Sequence, residues 1–124
     1  LKMEKQKPEV KVENPVNMIT FEDFKKVDLR TAEIVQAEKV DGADRLLKIQ
    51  VKMGADTRQI VAGIAEYYKP DDLIGKKVIL VANLKPVEIR GVESQGMLLV
   101  ASDESLLTLV GLDDNDLPSG LNVS

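Results

Sequence analysis

The residues best suited to chemistry lie in one polar segment, residues 83–96, which separates two apolar runs. It offers amides, an ammonium, a guanidinium and a hydroxyl, carried by Asn83, Lys85, Arg90, Ser94 and Gln95. Such groups form hydrogen bonds with phosphates and with the polar edges of bases. None of them performs acid–base or nucleophilic catalysis without a partner group. The segment therefore predicts a binding site on a rigid scaffold rather than an active site.

The composition removes most enzyme classes. The chain contains no histidine and no cysteine, which excludes the usual zinc ligands, Cys–His and Ser–His nucleophile pairs and histidine acid–base catalysis. Asp114 and Asp116 lie in an acidic turn, but this turn lacks the glycine and the distal glutamate of a calcium loop. We expect neither a metal nor a cofactor.

The charge balance restricts how a polyanion could bind. The chain has 124 residues, enough for one domain and a tail, and its formal net charge is −4 at pH 7. An acidic protein repels nucleic acid overall, so a nucleic-acid site requires cations gathered on one face. Aromatic residues make up only 3% of the chain, which argues against a platform that stacks single-stranded bases.

The hydrophobic pattern predicts an all-β domain. The expected strands are residues 27–40, 47–53, 58–64, 78–82 and 97–101. The alternation of the first strand changes phase, which indicates a bulge. Five strands with a small helix between the third and fourth are the order of an OB-fold, a five-stranded Greek-key β-barrel.

The two ends of the chain are predicted to differ. Residues 1–18 mix lysines and glutamates with two prolines and are typical of a charged flexible linker, a frayed terminus being the alternative. Residues 19–124 form the predicted domain, whose first short helix is capped by Thr20 and Asp23. About residues 103–124, further short strands with exposed edges predict a C-terminal extension used for dimerisation.

Five short motifs together resemble a known family. They are Asp28-Leu29-Arg30 and the stretches at residues 42–48, 60–64, 83–86 and 93–97. In this order they resemble the tRNA-binding domain appended to bacterial methionyl-tRNA synthetases. They are also similar to the free-standing, structure-specific tRNA-binding proteins of bacteria.

This resemblance implies a non-catalytic OB-fold module that dimerises and recognises tRNA by shape and backbone. It implies a domain linked to the catalytic body of a methionine–tRNA ligase, a free-standing protein being the alternative. The sequence has no apolar run of transmembrane length and no apolar signal core after its first residues, so we expect a cytoplasmic protein without a membrane partner. The positions matching RNA-contacting residues of the family are Arg45, Ser94 and Met97, while Arg30, Asn83 and Lys85 lie on matching motifs.

One departure from the family pattern concerns the residues after the Lys-Pro step. Relatives often carry basic residues there, whereas this chain has Val87 and Glu88. One or two phosphate contacts are therefore expected to be missing, and Arg90 is placed to compensate for them.

Each predicted contact has a structural alternative. The cations Arg45, Lys85 and Arg90 could be solvated surface charges. Residues 94–96 could form an ordinary turn before a strand, and Met97 could belong to the core. The binding hypothesis requires that the cations share one face and that the Ser94 hydroxyl is accessible to solvent.

Two further functions are compatible with the sequence. One is a peptide-binding, chaperone-like dimer, since a bacterial branch resembling this family is of that kind. The other is a dimerisation domain whose barrel face binds nothing. The RNA hypothesis differs from both because its affinity must fall as salt rises.

Overall fold

The computed structural model describes residues 9–10 and 17–124, so the predicted linker lies almost entirely outside the described residues. The two helices are α1 (Phe21–Lys25) and α2 (Pro70–Leu73). The strands are β1 (Leu29–Val40), β2 (Ala43–Met53), β3 (Asp56–Ala62), β4 (Lys77–Val81), β5 (Val87–Ile89), β6 (Val92–Ser94), β7 (Met97–Leu98), β8 (Val100–Ser102), β9 (Leu107–Leu109) and β10 (Asn122–Val123). The predicted mostly-β class with short helices is confirmed. Within the described residues, neither helix has the length and apolarity needed to cross a bilayer.

A capping box starts α1, as the sequence predicts. The hydroxyl of Thr20 accepts a hydrogen bond from the Asp23 N–H at 3.1 Å, and the Asp23 carboxylate accepts one from the Thr20 N–H at 3.3 Å. These bonds satisfy two donors at the helix start. No residue of α1 is buried, and Phe21 keeps 68% of its surface exposed. The helix therefore presents an apolar face to solvent.

The long strand β1 organises the main sheet. It pairs antiparallel with β2, β4 and β10. Its register with β2 shifts between Ile34 and Gln36, so the strand is irregular, as predicted. The shift does not lie at the change of alternation between Leu29 and Ala32, where the pairing with β4 runs without a break. A bulge sharpens the bend and twist of a strand, which lets β1 pair with different neighbours along its length.

The main sheet has the order β3-β2-β1-β4-β7. Alternate side chains of these strands fill the core, among them Ile34, Ile49, Ile60, Leu80 and Leu98. The outer edge of β3 approaches the residues that lead into β7, where the Gln95 N–H donates to the Gln59 carbonyl at 2.7 Å. Leu73 of α2 is fully buried and joins the same core.

The polar segment 83–96 contains a hairpin that sequence reasoning did not place. Strands β5 and β6 pair with each other in a separate two-stranded sheet. Arg90 and Gly91 connect them with φ values of 54° and 79°. Two successive residues with positive φ form the tight turn whose twist suits a hairpin.

The predicted continuous strand over residues 97–101 is wrong. Met97 and Leu98 pair with β4, whereas the residues from Val100 onward pair with β9 in a third sheet. The chain leaves the main sheet at Leu99, whose N–H donates to Ile79 and whose carbonyl accepts from Val110. Leu98 is buried, but Val100 is 39% exposed, so the apolar run serves two surfaces.

The C-terminal residues pack on the domain itself. Strand β10 pairs Val123 with Leu29, and the Gly120 N–H donates to the Thr31 carbonyl at 2.6 Å. Gly120 has a φ of +90°, and a side chain there would lie 2.9 Å from the Gly54 nitrogen. The extension therefore completes the sheet of its own chain, and dimerisation through it stays a prediction.

Candidate nucleic-acid interface

The β5–β6 hairpin is attached to β3 by polar side chains. The Ser94 hydroxyl accepts from the Val61 N–H at 3.0 Å, and the Gln95 amide oxygen accepts from the Gln59 N–H at 3.0 Å. In return, the Gln59 amide donates to the Glu93 carbonyl at 2.8 Å. Side chains thus take over the role of ladder hydrogen bonds, and they fix the hairpin at its base.

The expectation that the Ser94 hydroxyl is accessible to solvent is wrong. Ser94 is only 2% exposed, and its hydroxyl donates to the Gly96 carbonyl at 3.2 Å while accepting from Val61. Its side chain points from β6 toward the edge of β3, which covers it. The hydroxyl therefore stabilises the scaffold, and the condition that the sequence hypothesis placed on it is not met.

Asn83 and Gln95 also hold the segment in place. The Asn83 amide accepts from the Asp28 N–H at 2.9 Å and donates to the Lys26 carbonyl at 2.6 Å. The Gln95 amide group donates to the Glu93 carboxylate at 3.1 Å. Both side chains therefore use their oxygen and their nitrogen within the protein.

Arg45 and Arg90 line one cleft of about 450 Å³, between the β1–β2 turn and the tip of the hairpin. Arg45 is 81% exposed in its side chain and lies 3.2 Å from the Glu66 carboxylate. An exposed pair of this kind contributes little and is readily exchanged for another anion. Asp44 also lines the cleft and offsets part of the positive charge.

Arg30 is not part of this cleft. It lies at the beginning of β1, where its Nε donates to the Asp28 carboxylate at 2.8 Å and its Nη1 to the Gly120 carbonyl at 3.3 Å. The expectation that Arg30 shares one site with Arg45 and Arg90 is therefore not supported by the geometry. Lys85 is exposed near the start of the segment, and no carboxylate of the described residues lies within 4.0 Å of its ammonium.

Met97 lies at the surface, so the core alternative does not hold for it. It is 48% exposed and lines an apolar cavity of about 400 Å³ below the hairpin. Other walls of the cavity come from Leu84, Val87, Val100 and Leu107. An open apolar cavity of this size accepts an unstacked base or an apolar peptide side chain.

Sequence reasoning missed Arg58. Its Nη1 donates to the Ala82 carbonyl at 2.7 Å and to the Gln95 carbonyl at 3.4 Å. These two carbonyls lie at the two ends of the polar segment. Its spacing from Ile60 could have indicated that it points inward. Arg58 lies two positions before this core residue, and so falls on the inward side of β3.

The pKa of one carboxyl group is clearly shifted. The N–H groups of Ser105 and Leu106 donate to the Asp103 carboxylate and lower the pKa of Asp103 below its usual value. Asp103 lies in the turn between β8 and β9, and its effect is on that turn rather than on the cleft.

Comparison with known proteins gives the family. A model described as a putative tRNA binding domain matches residues 29–121. The methionine–tRNA ligase of Caldanaerobacter subterraneus is 52% identical over 112 residues, which are 90% of this chain and 17% of that protein. The ligase of Deinococcus radiodurans is 54% identical over 107 residues, which are 86% of this chain and 16% of that protein.

Two solved structures share the fold. The MetRS related protein from Pyrococcus horikoshii has a TM-score of 0.82 and 36% identity, covering 88% of this chain and 100% of that one. The chaperone CsaA from Bacillus anthracis has a TM-score of 0.79 and 29% identity, covering 87% and 100%.

The predicted resemblance is confirmed, and it concerns a binding domain, so the catalytic part of the ligases lies elsewhere in their chains. The chain spans only about 17% of the length of the first of these ligases. With the model covering residues 29–121, this chain belongs to the putative tRNA binding domain family.

Proposed function

We propose that this chain binds tRNA as a non-catalytic module of a methionine–tRNA ligase in the cytoplasm. The observation that carries the proposal is the cleft in which Arg45, from the start of β2, and Arg90, from the β5–β6 turn, face the same space. Two guanidiniums held near a rigid sheet, one at the start of a strand and one on a turn, suit phosphates, which accept paired hydrogen bonds from such groups. Lys85 adds an exposed ammonium on the same hairpin segment.

We further propose that the main sheet is an OB-fold barrel. The strand order β3-β2-β1-β4-β7 supports this, because its two outer members approach each other through Gln59 and Gln95. In an OB-fold, the loop between the first two strands and the loop between the last two bind oligonucleotides. Arg45 and Arg90 lie on or beside these two loops.

The predicted site residues then divide into two groups, with Arg30 belonging to neither. Arg45, Lys85 and Arg90 contact phosphates, and Met97 offers an apolar surface to an unstacked base. Asn83, Ser94 and Gln95 act through the position of the hairpin, because their polar atoms already bond within the protein. Arg30 supports the start of β1 and contributes positive charge only at longer range.

The role in the parent protein follows from tethering. A binding module attached to a synthetase raises the effective concentration of tRNA near the catalytic body without making a new contact there. A homodimer through the C-terminal extension would bring a second module to the same assembly. Leu106, which is 68% exposed beside β9, supports an apolar contact in that region.

The experiment is a binding titration of this domain with bulk tRNA, an RNA duplex and an unstructured single strand at several salt concentrations. We expect folded tRNA to bind most tightly. The logarithm of its affinity should fall linearly with the logarithm of the salt concentration, with a slope of about 0.7 to 0.9 per phosphate contacted. Equal affinity for all three RNAs would contradict recognition of tRNA shape. Sedimentation of the domain with and without tRNA identifies a dimer that binds no RNA.

The apolar cavity beside Met97 favours a second candidate, a peptide-binding dimer. The cavity has walls of aliphatic side chains, and the structural neighbour from Bacillus anthracis is the chaperone CsaA. Binding of an unfolded protein should then persist at high salt, because apolar burial does not weaken as charges are screened. Met97→Asp should abolish it, whereas Lys85→Ala should leave it unchanged.

A further inference from the structure

The four arginines of the chain differ in what neutralises them. Arg30 pairs with Asp28, and Arg45 pairs with Glu66. Arg58 has no carboxylate within 4.0 Å among the described residues, yet it is half-buried. Within residues 9–10 and 17–124, its positive charge is therefore held in the fold without a counter-charge.

One edge of the Arg58 guanidinium is fixed, and the other is open. Nη1 donates to the Ala82 and Gln95 carbonyls, while Nε and Nη2 make no hydrogen bond to the described residues. Among these residues no buried side-chain nitrogen or oxygen lacks a partner. Since Nε and Nη2 lack one, both atoms reach solvent.

The two hydrogen bonds of Nη1 determine where the free Nε and Nη2 atoms of Arg58 lie. Ala82 immediately precedes the polar segment, and Gln95 lies near its end, so the guanidinium lies at the base of the segment that carries Lys85. Holding the side chain in one geometry removes most of the rotamer entropy that an exposed arginine loses on binding. The free Nε and Nη2 retain the planar pair of donors that matches two phosphate oxygens.

We propose that Arg58 binds a phosphodiester of the RNA through Nε and Nη2, while Nη1 holds the two ends of the 83–96 segment. This rests on the proposed tRNA-binding function. It adds a cation from the sheet itself to those supplied by the loops. It also accounts for a half-buried charge that the fold leaves without a carboxylate.

The first test compares Arg58→Gln with Arg58→Lys in tRNA titrations across salt concentration. Loss of the charge in Arg58→Gln should reduce the slope of log affinity against log salt by about 0.7 to 0.9, whereas Arg58→Lys should keep the parent slope. Lys69→Gln removes an exposed charge at α2 and serves as the matched control, with an unchanged slope. A folded Arg58→Gln domain with the parent slope would overturn the proposal.

The second test uses the unsubstituted domain and so does not depend on the folding of a variant. The Nε–Hε signals of its four arginines are followed by NMR during titration with tRNA. We expect the Arg58 signal to shift and the Arg30 signal to stay, because Arg30 is already bonded to Asp28. If Arg45 and Arg90 shift while Arg58 does not, this inference fails and the tRNA site survives. If no tRNA binds, both proposals fail.

Discussion

The Ser94 hydroxyl accepts a hydrogen bond from the Val61 N–H at 3.0 Å, although the two residues lie 33 positions apart in the chain. This bond joins the hairpin to the edge of β3. There the Ser94 hydroxyl, and not a backbone carbonyl, accepts the hydrogen bond from the Val61 N–H. The Ser94 hydroxyl thus links the candidate binding segment to the core sheet, together with the hydrogen bonds between Gln59 and residues 93 and 95.

Ser94→Ala should destabilise the domain. The substitution leaves the buried Val61 N–H without a partner, which costs about 1 to 3 kcal/mol in the free energy of unfolding. Denaturant unfolding measures this, with Ser102→Ala on exposed β8 as the control expected within about 0.5 kcal/mol of the parent. The salt slope of tRNA binding should not change, and a lower slope would return Ser94 to the list of RNA contacts.

Gly96→Ala should be more damaging than its small size suggests. Gly96 has a φ of +142°, and an added Cβ would lie 2.8 Å from the Val81 carbonyl oxygen and 3.0 Å from Leu80 Cδ1. Backbone and core must both move, so we expect a loss of roughly 2 kcal/mol or more in the free energy of unfolding. Gly63→Ala is the matched control, because no atom lies within 4 Å of its added Cβ. Equal melting temperatures for the two variants would contradict the close approach at Gly96.

Lys85→Ala should weaken the binding of all tRNAs alike. The ammonium is exposed on the polar segment and is proposed to contact phosphate rather than a base edge. Its removal should therefore lower the slope of log affinity against log salt by about 0.7 to 0.9, without changing the order of affinities among RNAs. Lys69→Ala, which removes a charge at α2, is the control. Unchanged affinity at low salt would remove Lys85 from the site.

The lowered pKa of Asp103 should make the free energy of unfolding depend on pH in the acid range. Because the N–H groups of Ser105 and Leu106 lower the pKa of Asp103 in the folded state, its contribution to stability is present above the unfolded-state pKa. It is lost as the pH falls through the lower, folded-state pKa. Asp103→Asn should therefore unfold more easily than the parent at neutral pH, and the difference should disappear in strong acid. Glu104→Gln, a neighbouring exposed residue, should show no such convergence when unfolding is measured at both pH values.

Local signals predicted much of the fold because their partners lie nearby in the chain. Thr20 and Asp23 are three residues apart and form the predicted cap. A bulge in β1 was predicted as well, but the register shift lies between Ile34 and Gln36 and not at the change of alternation between Leu29 and Ala32. In contrast, the predicted strand over residues 97–101 is interrupted after Leu98, because the residues from Val100 onward pair with β9. The apolar run itself does not indicate that its two halves pair with different strands.

The site was harder to predict because residue type does not indicate which atoms remain free. Asn83, Ser94 and Gln95 have the chemistry of RNA contacts, but distant backbone groups occupy their polar atoms. Arg58 was overlooked because its spacing from Ile60 indicates only the inward side of β3, whereas the carbonyls that anchor its guanidinium belong to distant parts of the chain. Of the predicted cations, only Arg45 and Arg90 line the same cleft, as the hypothesis required.

Arg90→Asn should separate stability from binding. Arg90 adopts a φ of 54° at the first position of the β5–β6 turn, a conformation that costs a long side chain about 1 kcal/mol and that asparagine accepts readily. We therefore expect the free energy of unfolding to rise by up to about 1 kcal/mol. The same variant loses a guanidinium from the cleft shared with Arg45, so tRNA affinity and its salt slope should both fall. Arg45→Gln is the companion variant, with a similar loss of slope but no gain in stability, because Arg45 has no positive φ to relieve. A gain in stability with unchanged tRNA affinity would mean that the strained arginine has no part in binding.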